Sequence, residues 1–301
     1  MERIEYAGWE NCCRLVGDGC DLVVTTDIGP RIIRYGPIDG PNMLCELPSD
    51  RGKTGGYDWR LYGGHRLWHA PENRPRTYHP DNFPVQHEWN GTTFTVRQPV
   101  EATTGVAKAM HIRLDPLSTR VTIDHVLTNH GPWDIQLAPW AVTVLAPGGR
   151  GILPQEPFQS HENEVLPVRP MALWGYTDLS DPRWTLGRRF IQLRQDPSAK
   201  TPQKIGFRTT RGWAAYSLGE HVFVKHFPFE DGATYPDMGC NFETFTNGDM
   251  LELESLGPLL TLEAGGGHVH HTEHWTLHQA RIPEDEEGIT KTLLPLVGEH
   301  G

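Results

Sequence analysis

Two stretches of the sequence carry most of the residues suited to acid–base chemistry or to binding a polar ligand. The first, residues 59–89, combines tryptophans, arginines and carboxylates with four histidines. Its prolines at positions 71, 75, 80 and 84 exclude a long helix, so we expect a long ordered loop, and long loops in folded domains usually carry function. Aromatic faces beside arginine and histidine donors suit a sugar, which has an apolar C–H face and a rim of hydroxyls. The alternative is a structural loop that covers one end of the protein, with its histidines bonded to backbone carbonyls.

The second stretch, residues 240–277, contains Glu243, Glu252 and Glu254. Glu252 and Glu254 lie two residues apart and would share one face of a strand. Glu243 is flanked by phenylalanines, where desolvation raises the pKa of a carboxyl group and favours a base poised near neutrality. These carboxylates are therefore candidates for a general base. The alternative for each is an exposed strand position.

A histidine-rich segment lies within this second stretch, at residues 268–275. On a strand, His268, His270 and His274 would point one way, and His271 and Glu273 the other. Three imidazoles on one face can share a metal or a substrate. The spacing matches no specific zinc signature, so we predict no metal.

Lys204 and Lys225 lie in apolar strand segments. Each is a candidate to bind a carboxylate or a phosphate of a ligand. The alternative is a surface lysine whose stem covers apolar neighbours while its ammonium reaches water.

The elements that position these residues are predicted to be strands. Thirteen short runs rich in Val, Ile, Thr and Phe, each ended by Gly, Pro, Asn or Asp, recur about every ten residues. With 25 Pro and 32 Gly, few segments are long enough for a helix, although short helical turns fit near 180–186 and 288–297. No composition shift, linker or repeat divides the chain. We therefore predict an all-β protein, one large antiparallel β-sandwich over 1–301, with 284–301 as a solvated tail.

Composition limits the partners and the compartment. Lys+Arg 27 against Asp+Glu 38 gives a net charge of −11, which disfavours nucleic acid and anionic membranes as partners. We find neither a signal peptide at the N-terminus nor a transmembrane segment. Five cysteines, three of them near the start, make a poor disulfide framework and are expected to be buried apolar residues. These features predict a cytoplasmic protein, and the composition leaves its oligomeric state open.

Several segments together resemble the galactose mutarotase-like superfamily, which comprises aldose 1-epimerases and their hexose-6-phosphate relatives. They are, in order, DIGPRIIRYG (27–36), YGGHRLWHAPE (62–72), FPVQHEW (83–89) and PLLTLEAG (258–265). The resemblance covers nearly the whole chain and rests on the order of these segments. It implies a large antiparallel β-sandwich, often called a supersandwich, a sugar substrate and no cofactor.

The resemblance also implies roles for particular residues. In such mutarotases a histidine acid protonates the ring oxygen and a glutamate base deprotonates the anomeric hydroxyl. Glu243 matches the late glutamate, with Glu254 as its rival, and His65 and His87 match loop positions that contact sugar. The family's central histidine has no counterpart near Trp140, because no histidine lies between positions 130 and 161.

The first hypothesis is an aldose 1-epimerase-like enzyme in which Glu243 or Glu254 is the base and His65 or His270 replaces the missing acid. The residues expected to contact the sugar are Arg66, Trp68, His69, Glu72, His87, Trp140, Lys204 and Lys225. One alternative is a polysaccharide lyase or another glycoside-processing enzyme on the same fold. A further alternative is a carbohydrate-binding protein without catalysis. Each requires the stretch 59–89 to fold against the stretch 240–277.

Overall fold

Short runs of β-branched and aromatic residues form antiparallel strands, as the sequence predicts. The computed structural model describes residues 1–298, which form twenty-one β-strands and two helices. The strands, numbered in chain order, assemble into two large sheets. The prediction of an all-β antiparallel sandwich is therefore confirmed.

The first sheet has the strand order β1-β2-β3-β4-β5-β10-β19-β18-β15-β12, with β20 beside β10. Its strands are β1 (Glu2–Tyr6), β2 (Trp9–Val16), β3 (Cys20–Thr25), β4 (Arg31–Pro37), β5 (His65–Ala70), β10 (Ile135–Leu145), β12 (Met171–Leu173), β15 (Gln203–Phe207), β18 (Phe242–Thr246), β19 (Leu251–Leu256) and β20 (Leu260–Leu262).

The second sheet has the order β13-β14-β11-β16-β17-β21-β9-β8-β7-β6. Its strands are β6 (Gln86–Trp89), β7 (Phe94–Arg97), β8 (Val106–Leu114), β9 (Val121–Asn129), β11 (Arg150–Pro154), β13 (Trp184–Leu186), β14 (Phe190–Arg194), β16 (Trp213–Leu218), β17 (His221–His226) and β21 (His268–Gln279). The helices are α1 (Pro236–Gly239) and α2 (Glu286–Val297).

The inner faces of the two sheets share one apolar core. Leu67 and Leu253 from the first sheet and Ile123 and Phe223 from the second belong to the same buried cluster. Side chains alternate between the faces of a strand, so every strand of the first sheet presents one set of residues to this core and another to its outer face.

The stretch 59–89 is not the continuous loop that we predicted. Its residues His65–Ala70 form β5, a fully buried strand in the middle of the first sheet. Two glycines with positive φ, Gly63 and Gly64, precede it, and a Cβ on either would lie within 2.3 Å of a backbone oxygen. Glycine is therefore required where the chain enters this crowded position.

The prediction of a solvated tail is also wrong for most of that segment. Residues 286–297 form helix α2, whose buried residues Ile289, Leu293 and Val297 pack on the outer face of the second sheet. The carboxylate of Asp285 caps the helix by accepting from the backbone N–H of Gly288 at 2.8 Å. The helical turn near 288–297 is thus confirmed, whereas 180–186 contains strand β13 and no helix.

The five cysteines are free and buried, as expected. Within residues 1–298, neither helix has the length and hydropathy needed to cross a bilayer.

Candidate functional site

The outer face of the first sheet collects charged and aromatic side chains from its central strands. Trp140 on β10 pairs with Trp68 on β5, and Val142 pairs with Arg66 on one side and Glu254 on the other. Strand alternation places these side chains on one face. The pairing register alone therefore brings residues from three distant parts of the chain together.

These side chains surround a cavity of about 270 Å³, which we call the outer-face pocket. Its lining residues are Trp59, Leu61, Arg66, Trp68, Glu72, Tyr78, Trp140, Tyr176, Lys204, Phe245, Asn247, Met250, Glu252 and Glu254. The two chemistry-rich stretches supply most of them, so 59–89 does fold against 240–277.

Four aromatic rings form one wall of the outer-face pocket. The ring centroid of Trp68 lies 5.7 Å from Trp59, 5.2 Å from Tyr78 and 5.3 Å from Trp140, in tilted or edge-to-face arrangements. Such contacts hold the rings in fixed orientations. A rigid aromatic wall of this kind suits the apolar C–H face of a sugar.

Arg66 connects this wall to the acidic strand β19. Its guanidinium lies 4.3 Å from the ring centroid of Trp68, and its Nη2 donates to Glu252 Oε1 at 3.1 Å. Arg66 is 3% exposed, and its Nε and Nη1 have no hydrogen-bond partner among residues 1–298. A ligand oxygen that reached either atom would remove the cost of burying an unpaired donor.

Lys204 on β15 plays the equivalent part on the other side of the pocket. Its ammonium lies 2.7 Å from Glu243 and 3.1 Å from Glu254, and it faces the ring of Trp140 at 4.8 Å. Burial alone would lower the pKa of Lys204, but the two carboxylates outweigh it and raise that pKa well above its ordinary value. The lysine is therefore a fixed positive charge.

The three glutamates differ in their environments. Burial raises the pKa of Glu252 to about 7, against the opposing effect of Arg66. Glu254 accepts from the indole N–H of Trp140 at 2.9 Å and from Lys204, both through Oε2. Glu243 pairs with Glu254 in the strand register, but it is fully buried and does not line the pocket. Burial raises the pKa of Glu243 well above the ordinary range.

The structure separates the predicted histidines from this site. His65 and His69 alternate with Arg66 and Trp68 on β5 and therefore point into the sandwich. His65 Nε2 lies 2.7 Å from Nε2 of His125. Neither ring nitrogen of His69 has a hydrogen-bond partner among residues 1–298, and burial lowers the pKa of His69 to about 3.

The other two predicted histidines belong to the second sheet. His270 is exposed on the outer face of that sheet, with its Nδ1 2.9 Å from Asp124. His87 is exposed on β6, the edge strand. No histidine of residues 1–298 lines the outer-face pocket. The geometry therefore does not support His65 or His270 as the replacement acid, or His69 as a contact to a sugar in this pocket.

Lys225 also lies inside the sandwich and not in the outer-face pocket. Its ammonium pairs with Glu273 at 2.8 Å and donates to the backbone carbonyls of Ala141 and Leu253 at 3.3 and 3.0 Å. We call the buried set of His65, His125, Lys225, Ser255, His271 and Glu273 the inner-face network.

Ligand atoms of His65, His125 and Glu273 in this network lie within 4.8 Å of one another. They already bond within the protein. His125 Nδ1 donates to the carbonyl of His271 at 2.8 Å, and Glu273 accepts from Ser255 at 2.5 Å and from Trp275 at 2.9 Å. The network is therefore a closed set of hydrogen bonds and not an open binding site.

Of the predicted site residues, the outer-face pocket contains Arg66, Trp68, Glu72, Trp140, Lys204 and Glu254. The sequence also made Glu252 a candidate base because it shares a strand face with Glu254, but Glu252 was not carried into the catalytic assignment, and the structure places it in the pocket. Tyr176 was missed. It lies outside the two stretches, in a segment without a pattern, and its phenol pKa is raised by burial to about 12.

Comparison with known proteins supports the fold. A search with protein-family models and a search of curated proteins give no match to the sequence. Among solved structures, a candidate aldose 1-epimerase from Klebsiella pneumoniae has a TM-score of 0.63 at 13% identity, covering 99% of this chain and 86% of that one.

A second structure, a galactose mutarotase-like protein from Lactobacillus casei, has a TM-score of 0.55 at 11% identity and covers 89% and 100% of the two chains. A candidate aldose 1-epimerase from Escherichia coli gives 0.53 at 13% identity, covering 89% and 99%. The resemblance seen in the order of sequence segments thus agrees with the strand architecture, and this chain has the fold of the galactose mutarotase-like proteins.

Proposed function

We propose that the protein binds the ring of a monosaccharide in the outer-face pocket and catalyses acid–base chemistry at its anomeric centre, as an aldose 1-epimerase does. The observation that carries this proposal is the pair Glu252 and Glu254 on one strand face, opposite an aromatic wall. In this proposal carboxylates take both proton-transfer roles, including the one that the missing histidine would fill.

Glu254 is proposed as the base. Lys204 and Trp140 hold its Oε2, whereas its Oε1 has no partner in the described part of the chain, residues 1–298. A carboxylate held on one oxygen has a fixed orientation and can accept the proton of the anomeric hydroxyl through the other. Glu243 lies behind Lys204, where it supports the position of that lysine.

Glu252 is proposed as the acid. Its pKa of about 7 allows a substantial protonated fraction at neutral pH, which is the property that general acids need. Residues two apart on a strand lie about 6.6 Å apart along the chain, which leaves room for one anomeric centre between the two carboxyl groups.

The proposed reaction transfers one proton in each direction. Glu254 removes the proton from the hydroxyl on C1, Glu252 protonates the ring oxygen, and the C1–O5 bond breaks to give the open-chain aldehyde. Rotation about C1–C2 and reversal of both transfers then give the other anomer and regenerate both carboxyl groups.

Polarimetry of freshly dissolved hexoses tests the proposal. The wild-type protein should accelerate the decay of optical rotation, and Glu254→Gln should lower the rate by about 10²–10⁴, the usual contribution of a positioned base. Glu220→Gln, at an exposed position in the turn between β16 and β17, is the matched control and should leave the rate unchanged. Unchanged activity of Glu254→Gln would remove the assignment.

A second candidate function is carbohydrate binding without turnover. The observation that favours it is the internal pairing of the pocket charges, Arg66 with Glu252 and Lys204 with Glu254. Isothermal titration with hexoses separates the two functions. A binding protein would bind sugar with no acceleration of mutarotation, and Glu254→Gln would then weaken binding only modestly.

A further inference from the structure

A second cavity lies on the opposite side of the molecule from the outer-face pocket. It has a volume of about 530 Å³ and lies where helix α2 covers the second sheet. Its lining residues are Pro154, Gln155, Glu156, Pro157, Phe158, Arg188, Arg189, Phe190, Arg211, Trp213, Thr290 and Leu294. We call it the arginine cleft.

The charge of the arginine cleft is opposite to that of the whole chain. Among residues 1–298, the lining contains Arg188, Arg189 and Arg211 and one acidic residue, Glu156, although the chain has a net charge of −11. An excess of guanidinium groups in one cleft favours the binding of an anion there. Their planar donor arrays match the oxygens of phosphate and carboxylate.

Two of these arginines are held in place by neighbouring side chains. The guanidinium carbon of Arg188 lies 3.6 Å from the ring centroid of Phe158. Arg189 donates through Nη1 to the hydroxyl of Thr290 on α2 at 3.1 Å. Side chains restrained in this way lose less conformational entropy when they bind a ligand.

An unpaired donor lies at the base of the arginine cleft. Trp213 is 1% exposed, and its indole N–H has no hydrogen-bond partner within residues 1–298. A buried N–H without a partner destabilises the folded protein. Trp213 also lines the cleft, so a ligand acceptor that reaches this N–H would remove the cost of leaving it unpaired.

We propose that the arginine cleft binds a small organic oxyanion, a phosphate ester or a carboxylate, carried on a flat apolar body. Arg188 and Arg189 bind the oxyanion, the rings of Phe158 and Trp213 contact the apolar body, and the indole N–H donates to an acceptor on the ligand. This site lies on a different sheet from the outer-face pocket and does not depend on the function proposed for that pocket.

Isothermal titration of the full chain at low salt with phenyl phosphate, benzoate and inorganic phosphate tests this site. Phenyl phosphate or benzoate should bind with one site per chain, and the tighter of the two identifies the oxyanion. Arg188→Ala, Arg189→Ala and Trp213→Phe should each weaken that binding by about ten-fold, the value of one charge-assisted or buried hydrogen bond. Arg120→Ala, an exposed arginine outside the cleft, should leave it unchanged.

Three results would overturn the proposal. These are no binding of either aromatic anion at millimolar concentration, equal weakening by Arg120→Ala and Arg188→Ala, and binding of inorganic phosphate as tight as that of phenyl phosphate. Because Trp213 is buried, thermal unfolding of Trp213→Phe checks that its fold is intact. The exposed Arg188 and Arg189 keep the test independent of that variant.

Discussion

The two faces of the first sheet carry similar charged side chains, but these side chains differ in their hydrogen bonding and in their access to a cavity. On the outer face, Arg66 and Lys204 bind carboxylates at the edge of a cavity, and Arg66 and Glu254 retain polar atoms without a partner among residues 1–298. On the inner face, Lys225 and Glu273 pair inside the sandwich with no exposed surface. Residue type therefore does not distinguish a site from a structural network. The outer-face pocket and the inner-face network differ instead in whether their charged groups are fully paired within the protein.

The same strands supply both faces, so the difference comes from alternation along the chain. On β19, Glu254 faces the outer-face pocket, whereas its neighbour Ser255 bonds to His271 at 2.7 Å inside the sandwich. On β10, Val142 likewise lies on the outer face beside Arg66, whereas Thr143 bonds to His65 inside the sandwich. The inner-face network therefore lies directly behind the proposed catalytic strand.

The largest expected effect is the loss of stability when Lys225 of the inner-face network is replaced. Lys225→Met leaves the carboxylate of Glu273 buried without its cation, and loss of one partner from a buried ion pair destabilises a protein by about 3–5 kcal/mol. Urea denaturation followed by circular dichroism measures the change. We expect a loss of stability because both side chains are completely buried.

The double variant Lys225→Met/Glu273→Gln provides the control for this prediction. Removing both charges should recover part of the lost stability, because no unpaired buried charge then remains. A loss below about 1 kcal/mol for Lys225→Met, typical of an exposed ion pair, would contradict the closed network described here.

The second prediction concerns pH on the outer face. The pKa of Glu252 in the folded protein, about 7, lies above its ordinary value of 4.5, so the folded chain holds this proton to higher pH than the unfolded chain. Its stabilising contribution is complete below pH 4.5 and is lost as the pH rises through about 7. The loss amounts to about 3 kcal/mol.

Urea denaturation of wild type and Glu252→Gln at several pH values from 4.5 to 8 measures this contribution. The difference in unfolding free energy between the two proteins should change by about 3 kcal/mol across this range, because glutamine does not titrate. A constant difference would mean that Arg66 keeps Glu252 ionised, which would also exclude Glu252 as the acid.

The strand pattern of the sequence was sufficient to predict the fold but not the site. Alternation in 268–275 correctly separated His270 from His271, because that segment was interpreted as a strand. The segment containing His65 and Arg66 was interpreted as a loop, and a loop has no alternation to apply. Its short length and nearby prolines concealed a central strand that only pairing with β4 and β10 stabilises.

Tertiary context explains the remaining differences. The acidic segment before α2 has the composition of a solvated tail, yet Glu286 accepts from the backbone N–H groups of Arg189 and Phe190 at 2.6 and 3.1 Å. The apolar side chains of α2 gain burial only after the second sheet has formed. No local pattern of the sequence contains that information.

The smallest expected effect is the difference in stability between variants of His65 and His69, two histidines of β5. His65 bonds to Thr143 at 2.9 Å and to His125, whereas both ring nitrogens of His69 are buried with no partner in the part of the chain that the structure describes. Replacing His69 by Leu should therefore leave stability at pH 7 unchanged or raise it by about 1 kcal/mol, whereas His65→Leu should lower it by about 1–3 kcal/mol.

The stability of the two variants should also depend differently on acidic pH. Because burial lowers the pKa of His69 to about 3, the unfolded chain binds a proton below pH 6.5 that the folded chain does not. Protonation of His69 in the unfolded chain therefore lowers the free energy of unfolding as the pH falls, by about 2 kcal/mol between pH 7 and 5. His69→Leu should remove that part of the acid sensitivity, measured by urea denaturation at both pH values. If His69→Leu instead destabilises the protein as much as His65→Leu does, His69 has a bonding partner within the core, and the inner face of β5 would be a continuous polar network along its whole length.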